Sequence, residues 1–433
     1  MFENVVTPLM TLTEYRPDPE FAREMDACDP LASYRGRFHV PKKADGSEVL
    51  YFTGNSLGLM PKTAREYVDQ ELEDWRSLAV EGHMNARNPW LPYHEFLTEP
   101  MAKIIGAKPI ETVVMNSLTV NLHLLLVSFF RPEGERCKIV IEKGAFPSDQ
   151  YAVVSQLKCH GLDPSENLIE LKPRSGESTL RTEDIVETIE SNGDSITLVL
   201  LGGVNYYTGQ AFDMKTIAEA GHRMGAKVGF DLAHAAGNLE LKMHDWDVDF
   251  AVWCSYKYLN GGPGAVAGAF VHERFARDFD LCRLAGWWGH DKESRFMMGP
   301  EFRPIPGAEG WQISNPPILQ MAALRASLEI FDEVGMSALR EKSEKLTGYL
   351  EFLIESIGDN RISIVTPRDI VQRGCQLSIR VKGGDRSLHE RIVSHGVAAD
   401  WREPDVIRVA PAPLYNSFNE VFRFIEILRE CLK

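Results

Sequence analysis

Apolar and polar positions alternate in blocks between residues 100 and 275, and these blocks predict strands separated by helices. Three short apolar runs, at 195–204, 227–234 and 249–257, each end in glycines or in polar residues, and 214–225 has helical spacing between the first two. This alternation predicts a mainly parallel α/β sheet flanked by helices. Because ligands bind at the carboxyl ends of strands in such sheets, we expect the three run ends to surround one site.

The pattern changes after Pro316 and Pro317, where longer amphipathic stretches begin. Two of them predict long helices, and shorter strand and helix patterns then follow to the end of the chain. The segments concerned are 318–335, 339–358, 361–367, 375–383, 387–396, 406–411 and 418–431. Together they predict a second, smaller α+β unit.

Composition and charge favour a small-molecule ligand. The chain has 433 residues, of which 44% are hydrophobic and 25% charged, which is typical of globular proteins. Its 47 Lys and Arg against 62 Asp and Glu give a net charge of −15, which argues against nucleic acid as a partner.

The cysteines and the apolar segments indicate the cellular location of the protein. The seven cysteines include no CxxC pair, so we expect reduced thiols, no zinc or other metal site, and a cytoplasmic protein. The N-terminal residues carry acids and a proline where a secretory signal would be basic and then apolar. The most apolar run, 118–130, is shorter than the ~20 residues of a membrane span and predicts a buried helix, so we expect no membrane association.

The most informative segments are FDLAH (230–234) and SYKYLNGGPG (255–264). Asp231 and Lys257 stand 26 residues apart, which suits two successive strand ends joined by a crossover. A lysine in a dry pocket can attach pyridoxal phosphate covalently, and an acid can keep the pyridine nitrogen of that cofactor protonated. Taken singly, Asp231 could be a helix N-cap and Lys257 a surface lysine.

Residues 230–270, FDLAHAAGNLELKMHDWDVDFAVWCSYKYLNGGPGAVAGAF, resemble the core of the kynureninase family of fold-type I pyridoxal-phosphate enzymes. The resemblance covers nearly the whole chain after about residue 30. Further matching segments are YFTGNSLGLMPK (51–62), EGHMNARNPW (81–90), NSLTVNLHLL (116–125), FPSDQYA (146–152), YYTGQ (206–210), GWWGH (286–290), ISNPPIL (313–319) and RVAPAPLYNSF (408–418).

The resemblance implies a fold, a domain division and an activity. The fold is the α/β fold-type I architecture, with a large pyridoxal-phosphate domain at 51–318, a small α+β domain at 319–433, and an N-terminal segment, 1–50, packed on the small domain. The activity is hydrolysis of the Cβ–Cγ bond of L-kynurenine or 3-hydroxy-L-kynurenine, which yields anthranilate or 3-hydroxyanthranilate and L-alanine in tryptophan degradation or NAD biosynthesis.

The resemblance also implies roles for individual residues. Expected catalytic residues are Lys257, Asp231, Tyr256 and His234. Expected cofactor contacts are these four and Leu118, Thr119, Phe146, Ser148, Asp149, Trp287 and Asn315. Expected substrate contacts are Ser56, His83, Trp288, Asn315 and Arg408. Trp287 and Asn315 would come from the neighbouring subunit, which implies a homodimer with shared active sites.

Several of these roles agree with elementary chemistry. Leu118 and Thr119 open a predicted helix, whose free N–H groups favour an anion such as the cofactor phosphate, although Ser117 or Thr119 could simply cap that helix. The planar guanidinium of Arg408 suits a substrate carboxylate, although arginines are usually solvated surface residues. Phe146 could stack on the pyridine ring or belong to the core.

Two positions depart from the family pattern. The family often has a hydroxyl residue just before the Gly-Val that precedes YYTGQ, whereas this chain has Gly202, Gly203 and Val204, so one cofactor contact is expected to be missing or replaced by backbone. Trp288 stands where related enzymes can carry a smaller aromatic residue. The preference between kynurenine and 3-hydroxykynurenine is therefore left open.

Other patterns suggest different functions. Residues 54–58 fit the GxSxG of a serine hydrolase but come too early in the chain for a nucleophile elbow. Gly262, Pro263 and Gly264 partly fit a dinucleotide fingerprint but lead into a strand-like segment.

Cys375 is the candidate nucleophile if the chain is a cysteine desulfurase, yet it begins an alternating strand pattern, which predicts a packed thiol. A non-catalytic binding protein is a further alternative, against which the presence of both Asp231 and Lys257 argues.

Overall fold

The computed structural model describes residues 14–433, which contain fifteen strands and thirteen α-helices. The first thirteen residues, which bear on the expected lack of a secretory signal, lie outside this range. The strands are β1 Phe38–His39, β2 Leu50–Tyr51, β3 Met60–Pro61, β4 Thr112–Val114, β5 Lys138–Glu142, β6 Leu168–Leu171, β7 Ile196–Gly202, β8 Lys227–Asp231, β9 Phe250–Trp253, β10 Gly268–Val271, β11 Ile362–Ile364, β12 Leu377–Val381, β13 Val397–Ala398, β14 Asp400–Arg402 and β15 Val406–Val409. The helices are α1 Pro19–Ala27, α2 Ala64–Leu78, α3 Gly82–Asn85, α4 Glu95–Ile105, α5 Leu118–Phe129, α6 Pro147–Cys159, α7 Pro164–Asn167, α8 Thr182–Ser191, α9 Met214–Arg223, α10 Ile318–Val334, α11 Met336–Glu355, α12 Arg386–Ser394 and α13 Phe418–Cys431.

The predicted α/β sheet has seven strands in the order β4-β10-β9-β8-β7-β5-β6. Strand β10 is antiparallel to both of its neighbours, and the pairs from β9 to β6 are all parallel. In the register, Gly202 pairs with Asp231 and Asp231 pairs with Val252, so β7, β8 and β9 end at one edge. The predicted fold class and the predicted meeting of the three run ends are confirmed.

The central strands read as continuous apolar runs because both faces of the sheet are covered. In β7, Leu198 and Leu200 pack into a hydrophobic cluster with residues of α5 and α6. Val199 and Leu201, which point to the opposite face, pack with residues of α4, α9 and α10. Helix α5 coincides with the predicted buried helix, and no helix within residues 14–433 combines the length and apolarity needed to cross a membrane.

A second, antiparallel sheet has the order β11-β12-β15-β14. Its apolar face packs with α11, α12 and α13, and Phe21 of α1 and Phe52 belong to the same cluster. Strand β2 pairs with β13, which joins the N-terminal part of the described chain to this unit.

The expected boundary at residue 318 separates α10 from the large sheet, but Leu324 and Leu328 of that helix pack in the large cluster. An amphipathic pattern predicts a helix but does not indicate which sheet the helix packs against. The packing of α10 favours a division between α10 and α11, near Gly335. The domain boundaries therefore stay a prediction.

Candidate active site

A cavity with about 530 Å³ of free space opens at the carboxyl edge of β7 and β8. Nine residues expected to contact the cofactor line it together, and only Trp287 and Asn315 of that set do not. The lining residues are Leu118, Thr119, Glu142, Phe146, Ser148, Asp149, Gly202, Val204, Tyr206, Asp231, Ala233, His234, Tyr256 and Lys257.

One end of the cavity is formed by the starts of two helices. Ser117 is the N-cap of α5 but makes no side-chain cap hydrogen bond, and Leu118 and Thr119 occupy the first turn. Thr119 Oγ1 lies 2.8 Å from the Oγ of Ser148, which is in the first turn of α6. Free N–H groups, two hydroxyls and the positive end of a helix dipole suit a phosphate at this end.

The opposite side carries the lysine and an aromatic ring. Lys257 follows β9 by four residues, and its Nζ lies 5.8 Å from the ring centroid of Phe146 and 5.9 Å from that of Tyr256. Phe146 is half exposed in front of α6 and lines the cavity, where its ring could stack on a planar ligand. Burial raises the pKa of Tyr256, so its hydroxyl stays protonated.

Two carboxyl groups lie side by side at the end of β8. Burial raises the pKa of Asp231 above its usual value, although the charge of Lys257 and a 2.7 Å hydrogen bond from the Ala233 N–H to Oδ1 oppose this and keep the shift smaller than that of Asp149. Burial, and then repulsion by Asp231, raise the pKa of Asp149 well above its usual value. Because two adjacent buried carboxyls do not both ionise, Asp149 keeps a proton and Asp231 carries the negative charge.

His234 is buried beside this pair. Burial and repulsion by Lys257 lower its pKa well below the usual value, so the ring is neutral. Its backbone carbonyl accepts a 2.8 Å hydrogen bond from Asn238 Nδ2, which fixes the segment, whereas its Nδ1 lacks a partner among the described residues.

Sequence reasoning missed a third carboxyl group, Glu142, at the end of β5. Its Oε2 accepts a 2.8 Å hydrogen bond from Asn205 Nδ2, and burial raises its pKa to about 7. The run KIVIE (138–142) ends in an acid, as KVGFD (227–231) does, so the same strand-end pattern could have identified Glu142. A Cβ at Gly202 would lie 3.2 Å from Glu142 Oε1, so glycine leaves room for this carboxyl where the family often has a hydroxyl residue.

Arg408, on β15, is buried behind the cavity wall. It donates hydrogen bonds to the carbonyl of Tyr206, a lining residue, and to Asp400 Oδ2. Arg402 donates to the same Asp400 oxygen over 3.0 Å. Burial lowers the pKa of Arg408 to about 10, and the side chain therefore remains a cation at neutral pH.

The other expected substrate and cofactor residues do not reach this cavity within one chain. Ser56 lies in an exposed turn and lines a separate hollow with Asp400 and Trp401. His83 is half-buried against Trp90, with ring centroids 5.5 Å apart.

The remaining expected residues sit elsewhere on the surface and in the core. Trp287 is exposed, whereas Trp288 is only 1% exposed, with the Arg295 guanidinium 4.4 Å from its ring centroid. Asn315 lies in an exposed loop and lines a hollow together with Ser117.

The two motif-based alternatives are not supported. Ser56 follows an isolated bridge at Thr53 and precedes the two-residue strand β3, and α2 begins only at Ala64, so this part of the described chain forms no strand–serine–helix elbow. Residues 262–264 lead into β10 and not into a helix, unlike a dinucleotide fingerprint.

The residues present fit pyridoxal phosphate. Asp149 Oδ1 and His234 Nδ1 are buried without a hydrogen-bond partner in the described chain, which is typical of a site built for a polar ligand. The same cavity offers a phosphate-binding helix start, an aromatic face, an ionised carboxylate for the pyridine nitrogen and a lysine for covalent attachment.

Solved structures share this fold. A cysteine desulfurase from Thermococcus onnurineus superposes with a TM-score of 0.73 at 18% identity, over 88% of this chain and 94% of that one. A cysteine desulfurase from Escherichia coli gives a TM-score of 0.74 at 16% identity, over 93% and 98% of the two chains. The fold and the site together define a pyridoxal-phosphate enzyme of the fold-type I class.

Sequence relatives narrow this class. The kynureninases of Koribacter versatilis and Myxococcus xanthus are 61% and 60% identical to this chain, over 96% of it and over 98% and 97% of their own lengths. The family model described as the kynureninase C-terminal domain matches residues 339–428. The chain belongs to the kynureninase family, as its sequence motifs predict.

Proposed function

We propose that this chain hydrolyses the Cβ–Cγ bond of L-kynurenine or 3-hydroxy-L-kynurenine and releases L-alanine and the corresponding anthranilate. Membership of the kynureninase family supports this activity and its cofactor, pyridoxal phosphate. The observation that carries the proposal is the meeting of Lys257, ionised Asp231 and neutral His234 in one cavity, with Arg408 behind its wall.

The geometry of the cavity supports the following residue roles. Thr119, Ser148 and the start of α5 would hold the phosphate, and Phe146 would cover the pyridine ring. When bound, the cofactor supplies an electron sink conjugated to the substrate Cα. Asp231 would keep the pyridine nitrogen protonated and thus make that sink effective.

Other residues would move protons and bind the substrate. Lys257 would hold the cofactor, and its amine would accept the Cα proton of the bound substrate. Tyr256 keeps its hydroxyl proton and would donate a hydrogen bond to the oxygen on Cγ as negative charge develops there. Arg408 would bind the substrate α-carboxylate in exchange for Asp400.

Product analysis tests the function. Cofactor-loaded protein is incubated with L-kynurenine or 3-hydroxy-L-kynurenine, and alanine and the matching anthranilate are quantified. Equimolar products, absent with Lys257→Ala, are the expected result, and the ratio of the two rates gives the ring preference. Cofactor binding without aromatic product from either substrate would contradict the proposal.

We also propose a homodimer with shared active sites, in the cytoplasm. Support for the dimer comes from Trp287 and Asn315, which the resemblance assigns to the cofactor but which lie outside the cavity of their own chain. A largely apolar hollow beside Leu57, Met60 and Pro263 offers surface for a second copy.

All seven cysteines are free, which fits the reducing environment of the cytoplasm. Cell fractionation tests the proposed cytoplasmic location.

Mixed dimers test the sharing of sites. Lys257→Ala and Asn315→Ala variants, each inactive alone, are unfolded together and refolded. If Asn315 acts across the interface, half of the dimers are mixed and each has one intact site, so activity returns to about a quarter of wild type. No recovery, with dimers present by light scattering, would contradict shared sites.

A further inference from the structure

Three buried carboxyl groups line the proposed cofactor cavity, facing one lysine. They come from three elements: Glu142 from β5, Asp149 from α6 and Asp231 from β8. Asp231 is matched by Lys257, and Asp149 keeps its proton, so the third carboxyl decides the net charge around the cofactor. Among the other titratable groups nearby, His234 is neutral, Tyr256 keeps its proton and Arg408 is a cation behind the cavity wall.

Glu142 accepts a hydrogen bond from the Asn205 side-chain amide, whose orientation is fixed by three further hydrogen bonds. The Oδ1 of Asn205 accepts hydrogen bonds from the N–H groups of Tyr207, at 2.9 Å, and Thr208, at 2.8 Å, and from the Thr208 hydroxyl, at 3.1 Å. Its Nδ2 must therefore face Glu142 Oε2, 2.8 Å away. Burial, and less so the charge of Asp231, raise the pKa of Glu142 to about 7, whereas this fixed donor and the Gly202 N–H favour its ionised form.

Glycine at position 202 completes the arrangement. Gly202 lies in the cavity wall, and because its hypothetical Cβ would lie 3.2 Å from Glu142 Oε1, any side chain there would force the carboxyl to shift by a few tenths of an ångström. The glutamate is only 4% exposed, so its charge acts through protein and not through water.

We propose that Glu142 is a positioning residue that, as a carboxylate, acts together with Asp231 to raise the proton affinity of the bound cofactor. The inference rests on the cofactor placement proposed above. A nearby negative charge favours the protonated form of the pyridine nitrogen and of the nitrogen that joins Lys257 to the cofactor. Above about pH 7, where Glu142 is ionised, the cofactor would thus stay in its protonated, electron-accepting form to a higher pH than Asp231 alone allows.

Glu142 could instead serve only to anchor the turn that contains Asn205, and the substitution Glu142→Gln separates the two roles. Glutamine keeps the shape of the side chain and an oxygen for Asn205 Nδ2, but it carries no charge. A purely structural role therefore predicts an unchanged cofactor titration in Glu142→Gln, whereas the electrostatic role predicts a shift.

The test is a pH titration of the visible absorbance of the bound cofactor, which needs no turnover. We expect the midpoint for the Lys257–cofactor nitrogen to fall by roughly one pH unit in Glu142→Gln, the order of magnitude expected for loss of one buried charge from the cavity wall. Glu142→Asp, which keeps the charge, should retain a midpoint close to wild type. An unchanged midpoint in Glu142→Gln with cofactor bound would overturn the inference.

Matched variants make each outcome decisive. Glu71→Gln alters another buried glutamate, 1% exposed and outside the cavity, and should leave the midpoint unchanged. If Glu142→Gln does not fold, Asn205→Ser removes the fixed donor and should shift the midpoint in the same direction, and no shift there would also refute the inference. Absence of a Lys257-dependent cofactor spectrum in the wild type would instead refute the proposed cofactor placement.

Discussion

Replacing Cys375 by alanine distinguishes this protein from the cysteine desulfurases that share its fold. Cys375 is fully buried beside Tyr258 and Ala410 and lies 3.3 Å from Ser343 Oγ. Its backbone N–H donates a 2.8 Å hydrogen bond to Asn238 Oδ1, which an alanine would retain. The substitution therefore removes one sulfur atom from a packed site and leaves the chain path intact.

The structure sets the size of each effect. Burial raises the pKa of Cys375 to about 11. About one molecule in a thousand would then carry a thiolate at pH 8, against roughly a quarter for an ordinary cysteine. Loss of one buried heavy atom costs about 1 kcal/mol. A chain of 433 residues has an unfolding entropy near 0.9 kcal/mol per degree, so the melting temperature should fall by only about 1 °C.

The assay compares Cys375→Ala with Cys431→Ala, a matched control at another buried thiol, and with Lys257→Ala. Anthranilate release by Cys375→Ala should stay within about twofold of wild type, and release of sulfide from L-cysteine should be undetectable in all proteins. Loss of activity in Cys375→Ala comparable to that in Lys257→Ala, with its melting temperature preserved, would refute the assignment of Cys375 as a packing residue.

Three further predictions concern charged groups. Burial raises the pKa of Glu309, but close contacts of its Oε2 with His94 Nε2, at 3.4 Å, and Lys292 Nζ, at 2.8 Å, outweigh this and lower it to about 2. Ionised Glu309 therefore stabilises the folded protein above the unfolded pKa near 4.5, and this stabilisation is lost as pH falls towards 2. Measured by urea unfolding between these pH values, the free energy of unfolding should fall by up to about 3 kcal/mol more in wild type than in Glu309→Gln. Arg408→Leu should lower kcat/KM for kynurenine by roughly 100-fold or more, mainly through KM, and an unchanged KM would contradict carboxylate binding. Asp231→Asn should keep the cofactor spectrum but reduce kcat at least about 100-fold, and near-normal kcat would contradict its role at the pyridine nitrogen.

The sheet and the residues at its edge were predictable because strand burial and strand ends leave a strong local signal. Both β7 and β8 are buried along most of their length, and they end in Gly202 and Asp231. Parallel neighbours must end at the same edge, so Asp231 and Lys257 could be brought together from the sequence alone.

What the sequence did not reveal depends on contacts between distant segments. Glu142 ends an apolar strand as Asp231 does, but its place in the cavity depends on β5 lying next to β7, which no local pattern encodes. The ion pair between Arg408 and Asp400 joins neighbouring strands of the second sheet, whose register is fixed by packing. Helix α10 shows the same limit, since its spacing predicts a helix but not the sheet that it covers.

The pairing of Arg408 with Asp400 bears on how the substrate is selected. The buried guanidinium is already matched by a carboxylate, so in the proposed role a substrate α-carboxylate would exchange for Asp400 and would not gain the full energy of a new ion pair. Arg402 can keep Asp400 paired after the exchange, which makes the step feasible. Because every α-amino acid carries the same carboxylate, this exchange cannot distinguish kynurenine from other amino acids. Selection must therefore come from contacts with the aromatic ring, and the residues expected to make them lie outside the cavity of their own chain, which ties substrate specificity to the proposed dimer.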